Sequence, residues 1–161
     1  MAKFEGVKWA PQQMRYGLLE KQFEIVEADS RVFGVSRSIH YGLFLVFEGV
    51  RFFCHRNPGG QVEIVFLNWH QNLERFQKGI AFNLSCEQQA LVPTVDELEN
   101  VFIHLFLKDP SMRGFLEEMA EIGVQGYLRP FTIDEEQSIG VTFPAEPAVR
   151  AMACRYDRYL G

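Results

Sequence analysis

Three apolar segments separated by turn sequences constrain the fold of this chain more than any other feature. The segments lie at residues 39–47, 50–56 and 62–67, and their Phe, Val, Leu and Ile residues are typical of buried strands. Glu48-Gly49 separates the first two segments and Asn57-Pro58-Gly59-Gly60 separates the last two, and such residues favour tight turns. The pattern predicts an antiparallel β-meander over residues 39–67.

Signals elsewhere in the chain predict further strands and the helices. Flanking strands are expected within residues 24–35, 126–132 and 138–143. Thr94 and Glu97 form a capping box that begins one helix, and Asp109-Pro110 begins a second. A third helix is predicted from Ala145 to Leu160, because the apolar residues in this range follow a helical stripe. The predicted fold class is α+β, an antiparallel β-meander of five or more strands with about three helices mainly in the C-terminal half.

Length and charge limit the function classes. A chain of 161 residues with 15 Phe predicts a single domain over residues 1–161 with one large core. The net charge of −5 argues against non-specific nucleic-acid binding, which needs a basic surface. The acidic run Asp134-Glu135-Glu136 is interpreted as a solvated turn rather than a cation site. Arg150, Arg155 and Arg158 are interpreted as a solvated face of the last predicted helix.

The cysteines indicate a reducing environment. Cys54, Cys86 and Cys154 are odd in number and widely spaced, so the sequence predicts no disulfide framework and no metal site. The N-terminus lacks the apolar segment of a secretory signal, and no apolar stretch is long enough for a transmembrane segment. Motifs for nucleotide or other cofactors are missing, so no cofactor is predicted. The expected location is the cytoplasm.

Two histidines and one cysteine form a candidate catalytic group. If Glu48-Gly49 is a hairpin turn, His40 and His55 face each other across two strands, with Cβ atoms about 4.5–5.5 Å apart. Cys86 lies where a strand is predicted to run into a helix, and a helix N-terminus favours the thiolate. A thiol, an imidazole base and a second group that orients the base are the minimum for thiol acyl transfer.

The order of these residues resembles a known family. Its matching segments are the run His40-Tyr41-Gly42-Leu43-Phe44-Leu45, the Glu48-Gly49 turn, residues 50–55, Pro58-Gly59-Gly60 and Ser85-Cys86-Glu87. They resemble the H-box and NC-box layout of lecithin:retinol acyltransferase-like proteins, permuted relatives of papain-like peptidases, over residues 38–91. The resemblance implies a small antiparallel sheet with Cys86 as nucleophile, His40 as base and His55 as the orienting residue.

Two functional hypotheses remain open at this point. The first is a non-catalytic interaction domain, such as an inhibitor, adaptor or viral accessory factor, that binds a protein partner. The second is a small thiol acyltransferase or hydrolase that acts on a small acyl or lipid substrate. A family member that keeps the fold without the chemistry would satisfy both hypotheses.

Overall fold

The computed structural model describes residues 7–27, 44–136 and 142–156. Six strands and three α-helices are assigned within these ranges. The strands are β1 (Val7–Gly17), β2 (Phe23–Glu27), β3 (Val50–Arg56), β4 (Val62–Phe66), β5 (Gln125–Asp134) and β6 (Pro147–Tyr156). The helices are α1 (Trp69–Asn83), α2 (Val95–Glu99), which continues as a π-helix (Asn100–Leu107), and α3 (Arg113–Ile122), with short 3₁₀ helices at Cys86–Leu91 and Pro110–Met112.

All six strands form one antiparallel sheet in the order β2-β1-β6-β5-β3-β4. The longest uninterrupted pairing joins β5 to β6, from Gln125 opposite Tyr156 to Asp134 opposite Pro147. The predicted α+β class, with an antiparallel sheet of more than five strands and most helices in the C-terminal half, is confirmed. No helix in the described ranges is long and apolar enough to cross a membrane.

One face of the sheet carries the helices and the core. Side chains alternate along a strand, and the core face presents Val50, Phe52, Leu128 and Ala151. These residues pack with buried helical residues that include Trp69, Phe76, Ile80, Phe102, Phe106 and Met119. Gly126 lies under Phe52, because a Cβ at this position would be 2.4 Å from Phe52 Cζ. The opposite face of the sheet, called the outer face below, points away from these helices.

The last predicted helix is wrong. Residues Pro147–Tyr156 form β6, which lies between β1 and β5. Ala148, Val149, Ala151 and Ala153 are fully buried, so small apolar residues occur on both faces of this central strand. A strand buried on both faces loses its alternating pattern, and its apolar residues then imitate a helical stripe. Leu160 lies outside the described residues.

The predicted hairpin turn at Glu48-Gly49 is also wrong. Residues 44–49 do not fold back on β3 but continue along β5, since Phe47 bridges Phe131 and the Glu48 N–H donates to the Pro130 carbonyl at 3.0 Å. The second predicted turn is confirmed, because the Gly60 N–H donates to the Asn57 carbonyl and Gly60 has a φ of 78°. Residues 39–43 of the predicted first strand lie outside the described residues.

Candidate anion-binding site

Arg129 is the central residue of the candidate site. It lies in the middle of β5 on the outer face, opposite Met152 of β6. Its guanidinium carbon is 4.9 Å from the ring centroid of Phe47 and 5.1 Å from that of Tyr127. Both distances are within the range of attractive cation–π contacts. Within the described ranges, no carboxylate forms an ion pair with Arg129, so its charge is held in place without being neutralised.

Thr132 holds the Phe47 ring beside Arg129. The buried Thr132 hydroxyl donates to the Phe44 carbonyl at 2.9 Å and accepts from the Val46 N–H at 2.8 Å. The Thr132 N–H also donates to the Val46 carbonyl at 2.9 Å. These three bonds fix residues 44–46 against β5, and the next residue, Phe47, is 58% exposed on the outer face.

Gly49 explains why the Tyr127 ring reaches its position. A Cβ on Gly49 would lie 2.3 Å from the Tyr127 hydroxyl oxygen and 2.9 Å from its Cζ. Real Cβ atoms do not approach other atoms so closely, so the phenol ring occupies space that only glycine leaves. Gly49 is therefore needed for the close contact with the Tyr127 ring and not for a turn. Phe47, Gly49, Tyr127 and Arg129 together are called the Arg129 patch.

Two other arginines of the outer face differ from Arg129, because a buried carboxylate neutralises them. Glu135 Oε2 is 2.6 Å from Arg15 Nε, and Glu135 Oε1 is 2.8 Å from an Arg150 terminal nitrogen. Burial acts to lower the pKa of Arg15, but hydrogen bonds and charges from Glu20 and Glu135 outweigh it and the pKa is raised. The Arg15–Glu135–Arg150 cluster is therefore a structural network, whereas Arg129 remains available for an anion.

Cys154 lies next to the patch on β6, opposite Tyr127. Burial raises the pKa of the Cys154 thiol, and the positive charge of Arg129 acts in the opposite direction. An anion is favoured at such a site, because a bound carboxylate or phosphate would receive charge-assisted hydrogen bonds from the guanidinium.

Among the described residues, the structure does not join Cys86 to His55. Cys86 is exposed at the first residue of the 3₁₀ helix Cys86–Leu91. His55 Nε2 is 3.3 Å from Glu63 Oε2 on the neighbouring strand β4. No hydrogen bond links Cys86 to His55 in the described part of the chain, and His40 lies outside it. The catalytic roles of Cys86, His40 and His55 stay an untested prediction.

We expect Cys86 to be the first cysteine alkylated by iodoacetamide in the folded protein. Cys86 is exposed, whereas Cys54 and Cys154 are buried. Burial raises the pKa of Cys54 to about 11, which leaves a roughly hundredfold smaller thiolate fraction than in an ordinary thiol at the same pH. Peptide mass spectrometry after timed labelling measures the three rates. Equal rates for Cys54 and Cys86 in native buffer, with equal rates again in denaturant, would contradict the described burial.

Comparisons with known proteins identify the fold. A mutant branched-chain amino acid aminotransferase from Thermobaculum terrenum matches at a TM-score of 0.56 and 12% identity, covering 94% of this chain and 41% of that chain. The branched-chain aminotransferase from Thermoproteus uzoniensis with norvaline matches at a TM-score of 0.54 and 17% identity, covering 88% of this chain and 40% of that chain. The Escherichia coli branched-chain amino acid aminotransferase matches at a TM-score of 0.54 and 15% identity, covering 99% of this chain and 42% of that chain. This chain therefore spans about two-fifths of the length of these enzymes. No family model and no curated protein matches.

These matches overturn the functional predictions from sequence. The resemblance to lecithin:retinol acyltransferase-like proteins is wrong, because the fold is shared with aminotransferases. The hypotheses of a non-catalytic accessory domain and of a thiol acyltransferase or hydrolase are wrong for the same reason, and so is the suggestion of a viral factor. The short sequence matches around His40 and Cys86 are individually common. The hairpin predicted to bring His40 and His55 together is not formed at Glu48-Gly49.

The described residues do not form a complete pyridoxal phosphate site. Such a site needs a lysine amine in a pocket to bond the cofactor aldehyde. Lys8, Lys21, Lys78 and Lys108, the lysines of the described ranges, are all exposed. Lys8 contacts Glu118 of α3, and none of the four lies on the outer face beside Arg129. The Arg129 patch fits an anionic group, but the amine would have to come from elsewhere.

Proposed function

We propose that this chain supplies the anion-binding wall of an aminotransferase-like active site that acts on a small amino or oxo acid. The observation that supports the proposal is the Arg129 guanidinium, which is held between two aromatic rings without a carboxylate partner in the described residues. Amino and oxo acids carry a carboxylate, the group that an arginine binds with two parallel hydrogen bonds. The likeness in fold to aminotransferases supports the same class of substrate.

In this proposal the chain binds and orients the substrate. Arg129 receives the carboxylate, and the Phe47 and Tyr127 rings flank it and restrict how an approaching substrate turns. Since the guanidinium is already positioned by the two rings, less of its conformational entropy is lost on binding. Pyridoxal phosphate would supply the amino-group transfer chemistry when bound. The amine that holds it would come from residues beyond the described ranges or from another polypeptide. The free thiols Cys54, Cys86 and Cys154 support a cytoplasmic location.

Arg129→Gln is expected to abolish selective binding of the carboxylate. Norvaline, the ligand of one matching enzyme, and norvalinamide, which lacks the carboxylate charge, form a matched pair of probes. Wild-type protein should bind norvaline roughly tenfold to hundredfold more tightly than norvalinamide in calorimetric titrations, since hydrogen bonds to charged groups contribute about 1.5–3 kcal/mol. The Arg129→Gln variant should not distinguish them.

A transamination assay tests the reaction itself. Norvaline, an oxo acid and added pyridoxal phosphate are incubated with the protein, and formation of the second amino acid is measured. Arg129→Gln should lower kcat/KM by roughly a hundredfold. Arg113→Gln, the same change at an 81% exposed side chain of α3, is the control and should retain wild-type activity. Absence of transamination together with equal binding of both probes by the wild type would refute the proposal.

A further inference from the structure

The free edge of β4 faces a groove on the helix side of the sheet. Among the described residues, β4 pairs with β3 alone and is the last strand of the sheet. A groove of about 970 Å³ runs between this edge and the helices. Its strand wall includes Val62, Ile64 and Phe66, and its opposite wall includes Ile103, Leu107 and Leu116. The groove lies on the helix side of the sheet, so it is separate from the Arg129 patch on the outer face.

The backbone of β4 presents hydrogen-bonding groups to this groove that have no partner in the described part of the chain. The Asn57 N–H donates to the Gln61 carbonyl at 2.9 Å, and the Leu67 N–H donates to the Arg51 carbonyl at 3.3 Å. In an antiparallel pair such residues alternate, so Gln61, Glu63, Val65 and Leu67 direct their backbone groups toward β3. The N–H and C=O groups of Val62, Ile64 and Phe66 then point to the free edge. Their side chains lie on the core face and line the groove.

The edge lacks the features that block strand addition. Exposed sheet edges are protected in many proteins by proline, by lysine or by a charge that points inward. β4 contains neither proline nor lysine, and its one charged residue, Glu63, has its side chain on the outer face, opposite His55. Val65 and Leu67 are 46% and 49% exposed. An added strand would therefore meet apolar side chains and unpaired backbone groups together.

Trp69 forms a buried part of the groove wall. Trp69 lines the groove and is only 9% exposed. Its Nε1 is buried and has no hydrogen-bond partner among the described residues. A buried donor without an acceptor is costly, about 1–3 kcal/mol in proteins. Because Nε1 itself is not accessible from the groove, this cost does not identify the ligand.

The groove lining carries both signs of charge, with the acids Glu63, Glu99, Asp109 and Glu117 and the cations Arg56, Lys108 and Arg113. Lys108 contacts His104, and Arg113 contacts Glu117. Glu99 lines the helical wall and makes no ion pair within the described ranges. Glu99 lies one helical turn from Phe102, whose ring centroid is 6.4 Å from that of Trp69. The Trp69 ring centroid is in turn 4.7 Å from that of Phe66, so Glu99 is at the Phe66 end of the groove. Arg56 marks the other end, because it pairs with Val62 in register and with Glu121 of α3 at 3.0 Å. A cation in the bound segment would therefore be favoured opposite Phe66.

We propose that this groove binds an extended peptide segment that adds to β4 as an antiparallel strand, with apolar side chains against the helical wall and a basic residue near Glu99. A second copy of this chain fits less well. Pairing two β4 edges would bring the helices of the second copy to the same side of the sheet as the helical wall of the first copy, which includes Ile103, Leu107 and Leu116. A single strand fits between the two walls without this conflict.

The probe is the acetylated and amidated peptide Lys-Thr-Val-Thr-Val. In antiparallel addition its lysine lies opposite Phe66 and its two valines lie opposite Ile64 and Val62, with their N–H groups directed at β4. Trp9→Phe leaves Trp69 as the sole tryptophan, so peptide binding is followed by Trp69 fluorescence. We expect saturable binding.

Methylation of the two valine nitrogens of the peptide should weaken binding by roughly tenfold or more, since it removes two donors to β4. Methylation of the two threonine nitrogens, which point away from β4, is the matched control and should have a much smaller effect.

A variant of the edge provides the reciprocal test. Val62→Pro removes one outward donor at the first residue of an edge strand, where proline is tolerated, and should weaken the unmodified peptide by roughly fivefold to tenfold. Val65→Thr changes a side chain on the outer face and leaves every backbone donor of β4 in place, so it should weaken binding far less than Val62→Pro does. Equal affinity of the two methylated peptides, or no binding by either protein, would overturn the proposal. Concentration-dependent dimerisation that Val62→Pro abolishes would overturn it as well, because a second copy would then occupy the edge.

Discussion

Glu135→Gln is expected to lower the free energy of unfolding by about 3–5 kcal/mol, the usual result of removing one partner from a buried ion pair. The Glu135 side chain is 8% exposed and holds two arginines, Arg15 and Arg150, whose side chains are 17% and 15% exposed. Glutamine keeps the volume but not the charge, so two guanidinium groups lose the carboxylate that compensates their burial. Urea unfolding followed by circular dichroism measures the change.

The same substitution at a neighbouring position is the control for Glu135→Gln. Glu24 also contacts Arg15, but at 3.5 Å and with a side chain that is 50% exposed. Exposed ion pairs contribute about 0–1 kcal/mol, so Glu24→Gln should cost little. If both variants are equally stable, the carboxylate of Glu135 does not compensate the burial of these arginines.

Glu135 also shows why the sequence could not identify this network. Consecutive acidic residues usually lie in solvent, so the sequence predicts a solvated turn at Asp134-Glu135-Glu136, and this prediction is wrong for the buried Glu135. The structure buries Glu135 because its two cationic partners come from strands β1 and β6, which are distant from it in sequence. A local pattern contains no information about partners that only the sheet order brings together.

The elements themselves were predictable where their signals are local. The capping box of Thr94 and Glu97 is present, and Asp109 accepts from the Ser111 N–H at the start of the next helix. α1 was missed although its signal exists, since Trp69, Leu73, Phe76 and Ile80 are buried at helical spacing. β6 was misassigned because burial on both faces removes the alternation by which strands are recognised.

The candidate site was predictable only in part. Strand 126–132 was expected, and Tyr127, Arg129 and Phe131 alternate along it on one face. An arginine between two aromatic residues on a strand is a signal that could have drawn attention to this face. Phe47 and Gly49 could not be assigned to it, because the interpretation of Glu48-Gly49 as a turn directed residues 43–47 away from β5.

Phe52→Ala is expected to lower the free energy of unfolding by about 3–5 kcal/mol, the typical cost of truncating a buried phenylalanine. Phe52 is fully buried on the core face of β3, and its ring centroid is 6.0 Å from that of Phe66. The lost ring leaves a cavity that β3 and β5 cannot close, since both are paired on either side in the sheet.

Gly126→Ala tests the geometry around that ring from the other side. The new methyl group would lie 2.4–2.6 Å from three ring atoms of Phe52, and such overpacking costs about 1–3 kcal/mol in a close-packed core. In the double variant Phe52→Ala/Gly126→Ala, the methyl group added to β5 occupies space that the Phe52 ring has left. The double variant should therefore be more stable than the sum of the two single changes predicts, by about 0.5–3 kcal/mol. Strict additivity of the three unfolding free energies would show that Gly126 is not where the Phe52 ring packs, and that the register of β3 against β5 differs from the one described.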